Sequence, residues 1–418
     1  MKILLIFPLC PLPANSGGQV RVWNIAKQLS KNHTVDLLCF IRNESEKKYQ
    51  TELLTVFNSV QFIVRKELFD RSALVAGDMS FISFFVSNLS VLISTLFSDR
   101  PLLSHLYDSP ELRNAVVLAD ENHSYNLFYA ETFYGISSLK DILTLLKTKI
   151  LLIDQNIESI AYDRQAYQQK NLIVRMLMKL DVLKIRREEE FYWKKTGAIG
   201  ALSGTDQKYI VERTGREVIL VENGVDSAWF AEHKVERTAS EVLFVGTFSY
   251  FQNVDSLHWF LDDLWPLISS KSSKPLTLRI VGRGADDSLK RYVKDKGQEI
   301  DENVDDIRIA FQHATVLAAP IRAGSGTKYK VLEAMASRLP IVTTLVGAEG
   351  LAVTSGNQLF IAADESEFVL DILALTDDDS LRSTVGNSGY LFVKDSYDWT
   401  TIVDGFNKIL NASSESNF

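Results

Sequence analysis

The sequence predicts an α/β protein made of two parallel-sheet domains, and three observations predict it. Residues 2–7 (KILLIF) are continuously apolar, as in a strand buried on both faces. A glycine loop, a helix over 21–30 with Val22, Ile25, Ala26 and Leu29 on its apolar stripe, and a second apolar stretch at 34–41 follow. That is a βαβ unit. After a polar, aperiodic stretch at 227–240, the expected linker, the alternation restarts at 242–246. Finally, residues 316–319 form a short apolar strand, a small-residue loop opens into a helix-forming run, and a second strand follows at 340–344.

The elements follow in order. Gly17 and Gly18 lie past the carboxyl end of the first strand, where open parallel sheets bind ligands. A plain tight turn and a ligand-facing loop both explain them. A third strand is expected at 60–64. Residues 73–97 are strongly apolar, interrupted by Asp78 and recurrent Ser and Asn. They read as one or two core or cleft-lining helices, or as a monotopic membrane-docking surface. Strands at 125–130 and 150–153 precede one long helix or a broken pair over 159–196. The charge run Arg186-Arg187-Glu188-Glu189-Glu190 in it is expected on a solvated face. A strand at 198–203, a helix at 204–214 and a strand at 217–221 complete the first half. The turn Glu222-Asn223-Gly224-Val225-Asp226 closes it, its Asn-Gly suited to positive φ. The second half continues with helices at 253–268 and from about 286, a strand at 276–281, and closing helices at 366–376, 380–393 and 399–410. The tail 411–418 is expected to be disordered. The fragment Gly282-Arg283-Gly284 lacks the acidic partner of a dinucleotide fingerprint and is discounted.

Composition narrows the function. The chain of 418 residues is 46% apolar and 23% charged, ample for two or three domains with real cores. A net charge of −8 argues against a nucleic-acid binder. Two cysteines, Cys10 and Cys39, make no disulfide framework and point to a reducing cytoplasm. The apolar N-terminus is short and broken by Pro8, Pro11 and Pro13, so it reads as a strand rather than a signal peptide. Zinc, P-loop and serine-hydrolase patterns are absent from the sequence. The acidic run Asp377-Asp378-Asp379 precedes a helix and reads as caps, so no metal site is expected.

The chemistry concentrates at residues 320–351. Gly324, Ser325 and Gly326 allow close backbone approach, and the following helix start offers free N–H groups. Thr327, Lys328 and Lys330 add donors and positive charge, which suits a diphosphate. Glu333, about a turn later, is an acceptor able to hold a ribose diol. A surface ion pair between Lys330 and Glu333 is the structural alternative.

GSGTKYKVLEAMASRLPIVTT resembles the donor-binding segment of the retaining glycosyltransferases of family 4, which have the GT-B fold. Ser16-Gly17-Gly18, Glu222 to Asp226, Val245-Gly246-Thr247 with Asn253, and Val281-Gly282 match in the same order. The resemblance implies two Rossmann-like domains facing a cleft: an acceptor-binding domain at 1–230, a donor-binding domain at 241–395, and a crossover helix at 396–412 returning to the first domain. It implies a metal-independent, retaining enzyme. Its co-substrate would be a UDP- or GDP-sugar, and its acceptor a glycan or lipid-linked hydroxyl in surface polysaccharide or glycolipid assembly. The place would be the cytoplasm, with peripheral contact at the inner face of the membrane left open. Lys328 and Lys330, with helix-start amides of Gly326 and Thr327, would stabilise the departing diphosphate. Glu222 to Asp226 would border the cleft.

Two departures matter. The run Asp154-Gln155-Asn156-Ile157-Glu158 resembles a D-x-H-N-x-E-like motif but carries Gln155 where a histidine is expected, and Gln moves no proton. Asn156 is carried over as a catalytic candidate, a helix cap being the other reading. Glu131, just past a strand, is a further cleft carboxylate. The family's other glutamate falls eight positions before Glu333, at Ser325. Arg322 or Glu349 would then supply the missing sugar contact. These departures keep a non-catalytic GT-B protein as the alternative. A GT-B epimerase would need histidines that these motifs lack.

Overall fold

The computed structural model describes residues 1–65, 97–169, 171–232, 240–302, 304–323 and 327–415. The apolar stretch expected at 73–97, apart from Phe97, and the loop residues Gly324, Ser325 and Gly326 lie outside the described residues. The chain divides into two compact units, Met1–Val221 with Phe406–Phe418, and Glu222–Gly405.

The first unit is a seven-stranded sheet among the described residues, in the order β3-β2-β1-β4-β5-β6-β7. Its strands are β1 (Lys2–Phe7), β2 (Thr34–Ile41), β3 (Ser59–Val64), β4 (Leu127–Glu131), β5 (Ile150–Asp154), β6 (Ala198–Ala201) and β7 (Ile219–Leu220), all parallel. Helices α1 (Gly17–Leu29), α2 (Pro110–Glu121), α3 (Glu158–Gln168), α4 (Leu172–Lys195) and α5 (Gly204–Thr214) accompany them. The unbroken apolar strands β1 and β5 are buried along nearly their whole length, because a parallel sheet is covered on both faces. The helical stretch at 159–196 is a broken pair, α3 and α4. Helix α2, capped by Ser109 and opened by Pro110, was not anticipated.

The second unit is a six-stranded parallel sheet among the described residues, ordered β10-β9-β8-β11-β12-β13. It comprises β8 (Glu241–Thr247), β9 (Thr277–Arg283), β10 (Ile300–Asp301), β11 (Val316–Ala319), β12 (Ile341–Thr344) and β13 (Phe360–Ala362). The edge strands β10 and β13 are too short to show in the sequence pattern. Its helices are α6 (Phe251–Trp259), α7 (Trp265–Lys271), α8 (Asp287–Asp295), α9 (Ile307–His313), α10 (Tyr329–Ala336), α11 (Glu365–Asp377) and α12 (Asp379–Ser396). A π-helical turn at Phe260–Leu264 joins α6 to α7, so the helix expected at 253–268 carries an extra residue in one turn.

The last helix, α13 (Trp399–Glu415), begins in the second unit and ends in the first. The Phe406 ring lies 5.7 Å from that of Tyr129, tilted by 58°, and Asn407 Oδ1 lies 3.0 Å from His33 Nε2. The helix therefore runs past 410 into the tail expected to be disordered. The expected linker also starts as structure: Ser227–Ala231 is helical, capped by Asp226, whose carboxylate accepts from Trp229 N.

One surface expectation fails. Glu188 and Glu189 are 2% and 0% exposed rather than solvated. The broken pair turns them inward, where Glu188 accepts from Lys140 Nζ at 2.9 Å and from Ser104. Glu189 accepts from Ser159 N at 3.1 Å, and burial pushes its carboxyl up to about 8. Sequence order alone cannot place the helix break that decides which face is inside.

Candidate active site

Both sheets reverse direction of growth next to their first strand, between β1 and β4 and between β8 and β11. Ligands of open parallel sheets bind outside the carboxyl ends of the strands at such points. Several of the sequence-predicted residues of each unit lie near those strand ends.

In the second unit, β8 ends at Gly246-Thr247 and α6 follows. Asn253 on α6 donates through Nδ2 to Thr247 O at 2.9 Å. Its Oδ1 accepts from Lys330 Nζ at 2.8 Å, and Lys330 also donates to Val245 O at 2.6 Å. A side chain on α10 is thereby pinned to the end of β8. Gly246 leaves room for this, since a Cβ there would sit 3.2 Å from the Asn253 Cβ. Burial pulls the Lys330 ammonium down to about 8; Glu333 pushes it up, and Lys328 pulls it down.

Glu333, one turn on, is half-buried, and its carboxylate has no hydrogen-bond partner among the described residues. Burial raises it to about 7, offset in part by Lys330 and Arg283. The Lys330–Glu333 surface ion pair is therefore not what forms: Lys330 is bonded to β8 and α6, and no salt bridge joins the two. Arg283, at the end of β9, belongs to a fragment discounted in the sequence. Its neighbour Gly282 is there for packing, because a Cβ would lie 1.9 Å from Gly246 O. The signal for Arg283 was its place at a strand's carboxyl end.

Lys328 is the extended residue capping α10 and lies 3.9 Å from Glu349. Thr327 is 8% exposed, and its hydroxyl has no hydrogen-bond partner among the described residues. Buried polar atoms are nearly always satisfied, so this one is suited to a ligand. Arg322 is bound bidentately to Asp255, at 2.8 and 3.1 Å, over the Trp259 ring. It borders a cleft of about 270 Å³ lined by Trp259, Thr344, Val346 and Asp364. Tyr329 OH donates to Asn223 Oδ1 at 3.0 Å, tying the Asn-Gly turn to α10. Gly224 is required there: a Cβ would meet the Trp399 ring at 2.8 Å.

In the first unit, Ser16 precedes α1, which Gly17 and Gly18 open. A Cβ on Gly18 would lie 2.3 Å from Gln155 Oε1. Gln155 donates through Nε2 to Glu131 Oε2 at 2.9 Å, and Glu131 Oε1 accepts from Arg21 Nε at 3.1 Å and from Tyr129 OH. The glycine loop, the position expected to hold histidine and the tentative carboxylate thus form one cluster. Sequence reading missed Arg21, which looked like an ordinary start to an amphipathic helix. Thr132, next to Glu131, adopts φ 71°, a conformation that non-glycine residues rarely hold without a local demand. Asn156 is exposed and stands outside the cluster's hydrogen bonds, while Asp154 is buried, accepting from Phe133 N and Trp193 Nε1.

Of the acidic run, Asp378 is a helix cap. Asp378 accepts from Leu381 N at 2.9 Å, and Asp379 pairs with Arg382. Among the described residues no group of three His, Cys, Asp or Glu is placed to hold a metal, and no helix is long and apolar enough to cross a membrane.

The family model described as glycosyl transferases group 1 matches residues 239–378, inside the second unit. The chain is 23% identical over 416 residues to an uncharacterised 44.6 kDa protein in the cps region of Klebsiella pneumoniae, covering 95% of this chain and 96% of that one. Among solved structures, Anabaena HepE in complex with UDP and glucose superposes with a TM-score of 0.67 at 15% identity, covering 99% of this chain and 100% of that one. Sucrose-phosphate synthase from Thermosynechococcus elongatus gives 0.68 at 13% identity, with 99% and 98% covered. The two sheets, the helix that leaves the second unit for the first and the matched segment agree: residues 239–378 form a group 1 glycosyl transferase domain, and the chain has the GT-B fold of those solved structures.

Proposed function

We propose that this chain transfers a sugar from a nucleoside diphosphate sugar to a hydroxyl of a glycan or lipid-linked acceptor, with retention of configuration, in surface polysaccharide or glycolipid assembly. The observation that carries the reading is the pair Lys330 and Glu333. One is a lysine fixed at the end of β8; the other is a carboxylate a turn later with no hydrogen-bond partner among the described residues. The HepE complex with UDP supports UDP as the first nucleotide to test, and the cps-region relative supports the polysaccharide setting.

In this reading residues 241–395 bind the donor, 1–230 bind the acceptor, and 396–412 cross between them. Lys330, Lys328 and the amide of Thr327 face the diphosphate, and Glu333 accepts from the ribose hydroxyls. The bond from the sugar's anomeric carbon to the diphosphate oxygen breaks, and negative charge grows where the lysines stand. The acceptor oxygen bonds that carbon on the same face, and its proton goes to the departing phosphate oxygen. Gln155, oriented by Glu131, offers a hydrogen bond and no proton. That amide also favours the second reading, a non-catalytic protein that binds a nucleotide sugar or a partner enzyme.

Thermal stabilisation by UDP, GDP, ADP, CMP and dTDP separates these readings. A ligand at about 100 times its Kd adds roughly 2.7 kcal/mol. One diphosphate should stabilise the wild type and fail on Glu333→Ala, and its sugars should then be transferred or hydrolysed. Stabilisation without turnover of any sugar favours the non-catalytic reading. No stabilisation by any of the five overturns the donor site.

A further inference from the structure

Helix α4 points apolar side chains in both directions. Inward lie Val182, Ile185, Tyr192 and Trp193, each no more than 2% exposed. Outward lie Leu172, Ile173, Met176, Leu180 and Leu183, exposed by 73, 52, 59, 44 and 50%. At about 100° per residue these five and Arg187 fall within roughly 100° of arc, where a solvated helix carries polar residues. Tyr167 on the neighbouring α3 is 75% exposed, with Lys179 Nζ 5.5 Å from its ring.

The charges bordering this ridge are mostly basic. Arg175, Lys179 and Arg186 fall along one edge on the same helical count, Lys184 along the other, and Arg187 at its end. The acidic residues nearby are engaged: Asp163 on α3 accepts from Lys179 Nζ at 2.6 Å, Glu190 on the ridge's line accepts from Arg213 at 2.9 Å and lies 3.6 Å from Lys194, and Asp181 is turned inward at 8% exposure and accepts from Leu102 N. A basic, apolar ridge therefore stands on a chain whose net charge is −8.

We propose that the exposed ridge of α4 docks on an anionic lipid surface. Leu172, Ile173, Met176, Leu180 and Leu183 would enter the boundary between headgroups and acyl chains. The basic residues bordering the ridge, Lys184 and Arg187 foremost, would meet the lipid phosphates. A second copy of the ridge fits less well, since it would set basic edges against basic edges. The inference does not depend on the donor site, and it suits an acceptor carried by a lipid.

The test is co-sedimentation of the full-length protein with vesicles of phosphatidylcholine, with and without phosphatidylglycerol, in the absence of nucleotide. The expected result is binding to the anionic vesicles that weakens with added salt. Leu172→Ser/Met176→Ser/Leu180→Ser, all at exposed positions, should reduce it about tenfold or more with the melting temperature unchanged. Lys184→Gln/Arg187→Gln should reduce it by a similar factor. Equal sedimentation of the wild type and the serine variant overturns the proposal. So does an absence of binding to either vesicle, or equal binding to neutral and anionic ones. A wild-type dimer that the serine variant dissolves, with no vesicle binding, makes the ridge a protein interface instead.

Discussion

Arg21 Nε lies 3.1 Å from Glu131 Oε1, and both side chains are fully buried. Removing one member strands the other's charge in the interior. Arg21→Met alone is expected to destabilise the fold by about 3–5 kcal/mol, whereas Arg21→Met/Glu131→Leu costs less than the sum of the single changes. Urea unfolding of the four proteins measures this; strict additivity would deny the coupling.

The same pair orients Gln155, whose Oε1 stands where a Gly18 side chain would go. Gly18→Ala meets the end of a flexible side chain, and alanine suits a helix better than glycine, so stability should change by less than about 1 kcal/mol. Sugar transfer should nevertheless fall roughly ten- to a hundredfold in kcat/KM as Gln155 is displaced. Unchanged transfer in the alanine variant would separate this cluster from the chemistry.

The shifted groups of the second unit set a pH window for diphosphate binding. Lys330 titrates near 8, so affinity should fall as the pH rises through that value and its charge is lost. Glu333 titrates near 7, so its grip on the ribose should weaken as the pH falls through that value. UDP affinity, followed by calorimetry, should peak between about 7 and 8. Lys330→Met should remove the alkaline limb and Glu333→Gln the acid limb. Stability of the free protein follows the opposite logic, because both shifts disfavour the charged forms. Glu333 becomes costly as pH rises from its usual range to about 7, and the cost of Lys330 is relieved as pH rises above about 8.

Gly282 meets the backbone of Gly246 with no room for a methyl group. Gly282→Ala should destabilise the second unit by about 1–3 kcal/mol, since a strand rather than a side chain must move. Glycine at the exposed Gly297, where a Cβ would meet nothing, gives the control for φ alone: Gly297→Ala should cost less. Denaturant midpoints compare the two.

Asp378 accepts from Leu381 N at the start of α12. Asp378→Ala should lower stability by about 1 kcal/mol, with or without magnesium, as loss of a cap requires. A loss seen only with the ion present would restore a metal role.

Much of the fold was legible in the chain itself. The apolar strands β1, β2, β8 and β11 and the glycine loop at the start of α1 are local patterns, set by burial on two faces and by backbone freedom. Lys330 and Glu333 were legible too, because their spacing on one helix is fixed by the sequence. What the sequence alone could not decide depended on partners far apart in the chain. Arg21 meets Glu131 across 110 residues, and Lys330 meets Asn253 across 77. Glu188 and Glu189 looked solvated until the break between α3 and α4 turned them inward, and the same turn set an apolar ridge outside. Sequence determines which side chains share a helix or strand face; only the packing of those elements decides which face meets water, and so which charges are shifted, paired or left open for a ligand.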